Sequence, residues 1–478
     1  MEMELEMETI STEIIKPSTP TPSQLKTFKL SLLDQFFHFT YVPHVLFYNP
    51  PPPLENGTKN DQKMTSYLKD SLSKTLSLFY PLAGRLTMDE SSIDCNDKGI
   101  SFVETRVLNC SLSTFLEASN RVDLIGRFLS ETIYDDQTIG NNNNNRHETT
   151  TVTELVPLAI QVSIFNCGGF AIGSQWLHKV CDAVSWGNFL KNWAAIATGL
   201  KANVTSSEFA TAISLFPPCD LILPSGMKPR TLKPPDDALK TGRGGCIVRS
   251  FLFTPQAINA LQALAISEHV PNPTRVEVVS GFIWKHAMVA VATTANAPLC
   301  NSVPSICSSA ISHAVNMRPR TNPPLSSACF GNLIIDAIAH SEGENEASQR
   351  NIELPDLVTR IRNGLAPFKD AEFLSKFQGE GGAQVMGNYK KKLKDQNDSI
   401  TTYKFTSWSK LDMKPDFGFG LPVWVAFTGG RLSSSFKNLI PLIETLDHGI
   451  EAWLILDEQQ GSVLQSDPDF LQFASPIS

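Results

Sequence analysis

The sequence predicts an α/β protein built from two lobes, and two features lead to this expectation. Strand-like and helix-like segments alternate along both halves of the 478-residue chain, as they do where sheets and helices form layers. Residues 199–246, between the halves, are rich in Pro, Gly, Ser and Lys, a composition typical of a long connection between domains. We therefore expect an N-terminal lobe over residues 1–198, a crossover linker over 199–246 and a C-terminal lobe over 247–478.

The elements of the first half follow from hydrophobic periodicity and turn residues. After a polar, proline-rich lead-in over residues 1–26, the pattern predicts strands over 41–50 and 100–107. Between these strands, apolar residues recur every three or four positions over 64–79 and predict a helix with one apolar face. Residues 166–169, Asn-Cys-Gly-Gly, have the composition of a hairpin turn between two further strands.

The second strand of this hairpin leads directly into the most informative segment of the chain. The two-residue period of a strand places alternate residues from Phe170 to His178 on one side. Asp182 then stands in the N-cap position of a following helix. His178 is therefore expected at a strand end, where a reactive side chain can face a cavity.

The second half restarts with a strand over 247–253 and a helix with Thr254 as N-cap and Pro255 at its first position. Thr274 begins another helix. The remaining predicted elements, in chain order, are a strand over 311–320, a helix around 357–365, strands over 423–427 and 450–456, and a short C-terminal helix.

Composition argues against several classes of function. A net charge of −8 does not favour binding to nucleic acid or to an anionic lipid surface. The nine cysteines are scattered and never form a CxxC pair, so we expect reduced thiols and neither a disulfide framework nor a zinc site. The acidic first residues do not resemble a secretory signal, and apolar stretches such as 421–427 are far shorter than the roughly 20 residues of a membrane span. We expect a cytosolic monomer.

His178 and Asp182 form the pattern His-x-x-x-Asp. Imidazole suits general-base catalysis because its ordinary pKa, near 6.5, lies close to working pH. A carboxylate four residues away could hold the loop or the ring in place, or pair with an arginine elsewhere. The spacing alone is common, and a structural histidine or half of a metal site would also fit it. Neither a His-Glu-x-x-His motif nor a Gly-x-Ser-x-Gly elbow accompanies it, which disfavours a metal site and a serine hydrolase.

A second motif, Asp-Phe-Gly-Phe-Gly, occupies residues 416–420. Two glycines bracketing an aromatic residue indicate a tight turn, close packing or positive φ. We interpret Asp416 as the residue that fixes this turn before the strand over 423–427, without a direct part in catalysis.

Together the two motifs, in this order and in a chain of this length, resemble the paired signature of the BAHD acyltransferases. Further similarity to the family extends over nearly the whole chain, at 30–35, 80–86, 94–104, 274–279, 315–320, 331–332 and 406–408. The resemblance is greatest to the branch that contains vinorine synthase, stemmadenine O-acetyltransferase and deacetylvindoline O-acetyltransferase.

This resemblance implies two lobes like that of chloramphenicol acetyltransferase, with mixed β-sheets, helices and a channel between the lobes. It also implies an acyl-CoA co-substrate, no permanently bound cofactor and no metal. His178 would be the catalytic base in a direct attack of a hydroxyl on the thioester. Asp182 would pair with an arginine, for which Arg318 is the candidate.

Other residues take roles only through the resemblance. Asp416, Gly418 and Gly420 would support the site structurally. Thr274 could accept CoA phosphate at its helix N-terminus, or it could be an ordinary N-cap. Thr406 and Trp408 would line the channel on the acceptor side, with a core role as the alternative for Trp408. Phe419 and Leu421 depart from the family, which usually has Trp and then Lys or Arg at these positions.

The sequence therefore leads to one main functional hypothesis, an acyl-CoA-dependent O-acyltransferase that most simply uses acetyl-CoA and acts on a plant alkaloid or terpenoid. A hydroxycinnamoyl or benzoyl donor is the alternative within the same enzyme class. A non-catalytic homologue that binds acyl-CoA and a metal-dependent hydrolase are the alternatives from other classes.

Overall fold

The computed structural model describes residues 2–37, 40–51, 60–87, 89–131, 155–219, 245–294, 309–341, 352–397, 400–432 and 436–477. The asparagine-rich stretch at 140–145 and most of the predicted linker lie outside these ranges. Within the described residues the sheets are mixed and helices cover them, so the predicted α/β (α+β) class is confirmed.

The chain divides into two compact units, and their bounds differ from those of the lobes expected from the sequence. Unit 1 comprises Met1–Asp236, Ser326–Leu333 and Leu411–Thr428; unit 2 comprises Asp237–Leu325, Ile334–Lys410 and Gly429–Ser478. The Asp-Phe-Gly-Phe-Gly motif therefore belongs to unit 1, not to a C-terminal lobe as the sequence predicts. The described linker residues 199–219 also belong to unit 1, where the backbone N–H of Leu32 donates to the carbonyl of Phe216.

Unit 1 contains a six-stranded sheet in the order β1-β6-β7-β8-β3-β13. These strands are β1 (Met7–Ile15), β3 (Tyr41–Tyr48), β6 (Ile100–Val107), β7 (Leu158–Ile164), β8 (Phe170–Leu177) and β13 (Trp424–Ala426). All neighbouring pairs are antiparallel except β6 and β7. Strand β1 lies in the segment interpreted from sequence as a polar lead-in. Six of its nine residues are exposed and none is fully buried, so the two-residue period of a half-buried strand is absent from its sequence. A smaller sheet joins β2 (Thr27–Lys29), β5 (Ser92–Asp94) and β4 (Arg85–Leu86).

The two long helices of unit 1 form where the sequence predicts them, whereas its short helices are not among the predicted elements. The long helices are α2 (Asn60–Leu78) and α5 (Ala183–Ala197), which pack on each other; the short ones are α1 (Leu32–Gln35), α3 (Leu112–Leu116), α4 (Arg121–Leu124) and α6 (Thr211–Leu215). Leu68, Leu72 and Leu76 are fully buried, which confirms the apolar face predicted for α2. The side chain of Asp182 accepts a hydrogen bond from the backbone N–H of Ser185, so the predicted N-cap of α5 is also confirmed.

Unit 2 contains the larger sheet, in the order β11-β10-β12-β15-β16-β9-β14, with β17 beside β9. Its strands are β9 (Cys246–Phe253), β10 (Ser309–Asn316), β11 (Ile334–His340), β12 (Thr401–Ser407), β14 (Arg431–Leu432), β15 (Leu439–Glu444), β16 (Ile450–Leu456) and β17 (Ser475–Ile477). Its helices are α7 (Pro255–Leu264), α8 (Arg275–Thr294), α9 (Leu354–Leu365), α10 (Ala371–Ser375), α11 (Gly382–Asn397), α12 (Glu458–Ser466) and α13 (Pro468–Leu471).

Helix α8 is the central helix of the unit 2 core. Val278, Val279, Ile283 and Trp284 of this helix are fully buried in one apolar cluster. Among the described residues it is also the one helix whose length and composition would suffice to cross a bilayer, over Arg275–Thr293. Since 67% of its apolar window is buried inside the protein, this helix has the character of a core helix.

The turn over residues 416–420 is fixed by one carboxylate oxygen. Oδ1 of Asp416 accepts hydrogen bonds from the backbone N–H groups of Gly418 (2.8 Å) and Gly420 (2.9 Å). Both glycines have positive φ, +92° and +90°, a conformation in which a residue with a Cβ is strained. The ring of Phe419 meets Tyr67 and Phe170 edge-on, at 5.8 and 5.5 Å between centroids. Phe419 thus packs its ring between two aromatic neighbours.

Replacing Asp416 with Ala removes the acceptor of two backbone N–H groups. We expect the free energy of unfolding to fall by roughly 1–2 kcal/mol while the turnover number of the folded protein stays close to that of wild type. Thermal unfolding and steady-state kinetics measure the two quantities, with Asp70→Ala, which removes an exposed carboxylate on α2, as the matched control. A stable and well-folded Asp416→Ala protein without turnover would contradict the structural role.

Candidate active site

His178 follows β8 directly, and several contacts fix its backbone. Its N–H donates to the carbonyl of Thr40 at 2.8 Å. The indole N–H of Trp176 donates to the carbonyl of Cys181 at 3.2 Å and thereby ties the strand end to the turn that follows. His178 as a residue is partly exposed.

The carboxamide of Asn332 contacts His178 at two points. Its Oδ1 lies 3.0 Å from the ring Nδ1, and its Nδ2 donates to the backbone carbonyl of His178 at 2.7 Å. Both residues belong to unit 1, although 154 positions separate them along the chain. Asn332 is fully buried, so its orientation is set by these partners and by Asp34.

The partners of Asn332 determine which ring nitrogen of His178 carries the proton. Nδ2 of Asn332 faces two acceptors, the carbonyl of His178 and Oδ1 of Asp34 at 2.9 Å, so the amide cannot be reversed without placing oxygen against oxygen. Oδ1 of Asn332 therefore faces Nδ1 of His178 as an acceptor, and Nδ1 must be the donor. The lone pair of the neutral imidazole is then on Nε2, which is the atom that can accept a proton.

Asp34 lies beneath Asn332 and completes this network. Its Oδ1 accepts from the backbone N–H (2.6 Å) and the Nδ2 of Asn332, and its Oδ2 accepts from the N–H (2.9 Å) and the hydroxyl (2.7 Å) of Ser31. Burial raises the pKa of Asp34 to about 6, and these four hydrogen bonds oppose that rise. At neutral pH the carboxyl is therefore mostly ionised and serves as the acceptor at the base of the site.

Gly331 allows Asn332 to approach Asp34 this closely. Its φ is +128°, and a Cβ at this position would lie 3.3 Å from Oδ2 of Asp34. The hydroxyl of Ser185 accepts from the N–H of Gly331 at 3.1 Å and donates to its carbonyl at 3.0 Å. The segment that carries Asn332 is thus held against the first turn of α5.

Asp182 holds the same segment from the other side and is 1% exposed. While its Oδ1 caps α5, its Oδ2 accepts from the backbone N–H of Leu333 at 3.0 Å. The carboxylate therefore supports the polypeptide around Asn332 and does not need to touch the His178 ring. Removing it would leave buried N–H groups without an acceptor.

The predicted partner of Asp182, Arg318, lies in unit 2 and is 1% exposed. In a 3-10 helix at Arg318–Arg320, its Nη1 donates to Oδ1 of Asn316 at 3.4 Å. The pairing of Arg318 with Asp182 stays a prediction.

Thr274 is the N-cap of α8 and forms a capping arrangement with Glu277. Its N–H and its hydroxyl both donate to Oε2 of Glu277 at 2.8 Å, and its hydroxyl accepts from the Glu277 N–H at 3.3 Å. Arg362 pairs with the same carboxylate through Nε and Nη2, and its hydrogen bonds help hold the pKa of Glu277 below its ordinary value. An ionised carboxylate thus already lies at this helix N-terminus, which favours the capping alternative over CoA binding.

Thr406 and Trp408 lie in unit 2, at and just beyond the end of β12. Thr406 is partly exposed, whereas Trp408 is 4% exposed, as expected for the core role that was its alternative. Their part in substrate binding stays a prediction. Of the predicted site residues, unit 1 therefore contains His178, Asp182, Asp416, Gly418 and Gly420, and unit 2 contains Thr274, Arg318, Thr406 and Trp408.

Within the described ranges, no group of three or more His, Cys, Asp or Glu side chains lies close enough together to hold a metal ion. The hydrogen bonds described above place an amide beside the His178 ring and a carboxylate beneath that amide. This set suits a proton acceptor with a fixed tautomer.

Comparison with known proteins identifies the family to which the chain is similar. The family described as the transferase family matches residues 5–471 of the chain. Akuammiline synthase 2 from Alstonia scholaris is 34% identical over 98% of this chain and 96% of its own length, and stemmadenine O-acetyltransferase from Catharanthus roseus is 32% identical over 97% of each. The crystal structure of vinorine synthase superposes with a TM-score of 0.74 at 30% identity, covering 98% of this chain and 99% of that one.

A match over nearly the whole length, together with relatives above 30% identity and a shared fold, establishes both the family and the type of enzyme. The chain belongs to the BAHD acyltransferases, enzymes whose acyl donor is a coenzyme A thioester.

Proposed function

We propose that this protein acetylates a hydroxyl group of a specialised plant metabolite, such as an alkaloid or terpenoid, with acetyl-CoA as donor and His178 as general base. The observation that carries the proposal is the contact between Nδ1 of His178 and Oδ1 of Asn332, which assigns the basic lone pair to Nε2. The choice of acetyl-CoA is supported by the similarity to stemmadenine O-acetyltransferase.

In the proposed reaction, Nε2 of His178 accepts the proton of the acceptor hydroxyl as its oxygen attacks the thioester carbonyl. The C–O bond forms and a tetrahedral intermediate carries the negative charge on the former carbonyl oxygen. Collapse of this intermediate breaks the C–S bond, and the imidazolium returns its proton to the CoA sulfur. The products are the ester and free CoA, and no acyl group is attached to the protein.

Asn332 and Asp34 would act on this reaction through the ring that they position. Oδ1 of Asn332 accepts a hydrogen bond from Nδ1–H of His178 both before and after Nε2 gains its proton. The ring therefore need not rotate during the cycle. The ionised carboxylate of Asp34, one residue further away, favours the imidazolium electrostatically. A cytosolic location remains a prediction from the sequence, and a monomeric state remains the default expectation.

Replacing His178 with Ala should lower the turnover number by about 10²–10⁴-fold, because the attacking hydroxyl loses its proton acceptor. The measurement combines purified protein with a panel of acetyl, benzoyl and hydroxycinnamoyl thioesters of CoA and a library of hydroxylated plant metabolites, and detects ester products by mass spectrometry. His269→Ala, which removes an exposed histidine, is the matched control.

The expected result is product formation from acetyl-CoA by wild type and by His269→Ala, with turnover at least about 10²-fold lower in His178→Ala. Undiminished turnover in His178→Ala would refute the base assignment. Preference for an aromatic donor would refute the acetyl donor, and the absence of product from every combination would favour a non-catalytic protein that binds acyl-CoA.

Replacing Asn332 with Ala should lower kcat by about 10–10²-fold with little change in KM for either substrate, because the ring loses the partner that fixes its tautomer. Steady-state kinetics with both substrates varied give the two constants. Asn192→Ala is the matched control, since Asn192 is also a fully buried asparagine of unit 1 but bonds to Asn188 and Thr205. Equal losses of kcat in both variants would show that lost stability, and not the orientation of His178, explains the effect.

A further inference from the structure

The ring of Phe37 lies flat against the imidazole of His178. The two ring centroids are 4.6 Å apart and the ring planes differ by 16°. Phe37 lies just after α1, where its N–H donates to the carbonyl of Asp34 at 3.0 Å. An aromatic ring therefore covers one face of the proposed base, and it comes from the same turn as the carboxylate that supports Asn332.

Lys179, the residue after His178, holds this turn in place. Its Nζ donates to the carbonyl of Phe37 at 3.2 Å and to that of Gln35 at 3.4 Å, and it lies 3.9 Å from a carboxylate oxygen of Glu90. Burial lowers the pKa of this side chain, which is 4% exposed. His178 is thus the proposed base, and the next residue, Lys179, binds the backbone that carries Phe37. These hydrogen bonds fix the stacked arrangement of the two rings.

We propose that Phe37 is a positioning residue whose ring stabilises the imidazolium form of His178 during acyl transfer. The face of a benzene ring carries partial negative charge, and a cation within about 6 Å of its centroid is attracted to it. The neutral imidazole gains less from the same contact. The stacked ring should therefore make His178 a stronger base. This inference rests on the proposed function of His178 in the reaction, although its first test does not require turnover.

The charged residues of the network around His178 are the same in every variant that tests this proposal. The charged or titratable groups in the network described above are Asp34, which binds Asn332, Lys179 with its neighbour Glu90, and Asp182, which binds Leu333. None of them is altered by a substitution at Phe37, so a comparison between two variants at this position isolates the contribution of the ring. Phe37→Leu keeps an apolar cover over the imidazole but removes the aromatic face, whereas Phe37→Tyr keeps that face.

The first experiment follows the His178 ring by NMR in histidine-labelled protein as a function of pH, with His178→Ala used to assign the signal. We expect the pKa of His178 to fall by about half a pH unit in Phe37→Leu and to stay near the wild-type value in Phe37→Tyr. The sign follows because removing a contact that favours the imidazolium lowers the pH at which it forms. Equal pKa values in wild type and Phe37→Leu, or equal shifts in both variants, would overturn the proposal.

The second experiment measures kcat/KM against pH for the same three proteins. The acidic limb of the profile should move to lower pH in Phe37→Leu by the same amount as the NMR titration, with a lower plateau because the base is weaker. Unchanged profiles in all three would overturn the catalytic part of the proposal even if the NMR shift is found. Turnover that survives in His178→Ala would instead refute the proposed function, so the two failures are distinguishable.

Discussion

The carboxamide of Asn332 is the group on which the proposed chemistry of His178 depends. It is a donor on one side and an acceptor on the other, and its two donor contacts, to Asp34 and to the carbonyl of His178, leave only one orientation for its oxygen. Because that oxygen faces Nδ1 of His178, the tautomer of the ring is a consequence of buried hydrogen bonds. A serine at position 332 could not make these contacts together, since a hydroxyl has one donor.

Much of the surrounding structure serves to hold this amide in place. Asp182 caps α5 and binds the backbone of Leu333, Ser185 binds Gly331, and Asp34 binds Asn332 through both its backbone and its side chain. The aspartate of the His-x-x-x-Asp pattern thus supports the segment around Asn332 structurally. The histidine directly follows a strand and the aspartate directly precedes a helix, and this connection sets the spacing of four residues between them. The turn at Asp416 is fixed locally, because one carboxylate oxygen accepts hydrogen bonds from the backbone N–H groups of two glycines.

The parts of this structure that sequence predicts are those set by local patterns. The apolar repeat of α2, the hairpin of β7 and β8, and the caps at Thr254 and Asp182 each depend on residues a few positions apart. Asn332 was not predicted, because its partners lie 154 and 298 residues away in the chain. The sequence contains two relevant signals, the Ser31-Leu-Leu-Asp34 capping pattern and the Gly331-Asn332 pair. Neither indicates that Asp34 and Asn332 bind each other. Local patterns also do not show that the Asp416 motif groups with unit 1, since β13 pairs with β3 from the other end of the chain.

The most direct measurement is the nitrogen-15 NMR spectrum of the His178 ring in histidine-labelled protein, at a pH where the imidazole is neutral. The hydrogen bond to Asn332 requires a protonated, pyrrole-like Nδ1 and a pyridine-like Nε2, and this pattern should be lost in Asn332→Ala, where the two tautomers exchange. A spectrum of the unaltered protein with the proton on Nε2 would contradict the assignment of Nε2 as the base, and with it the role of Asn332.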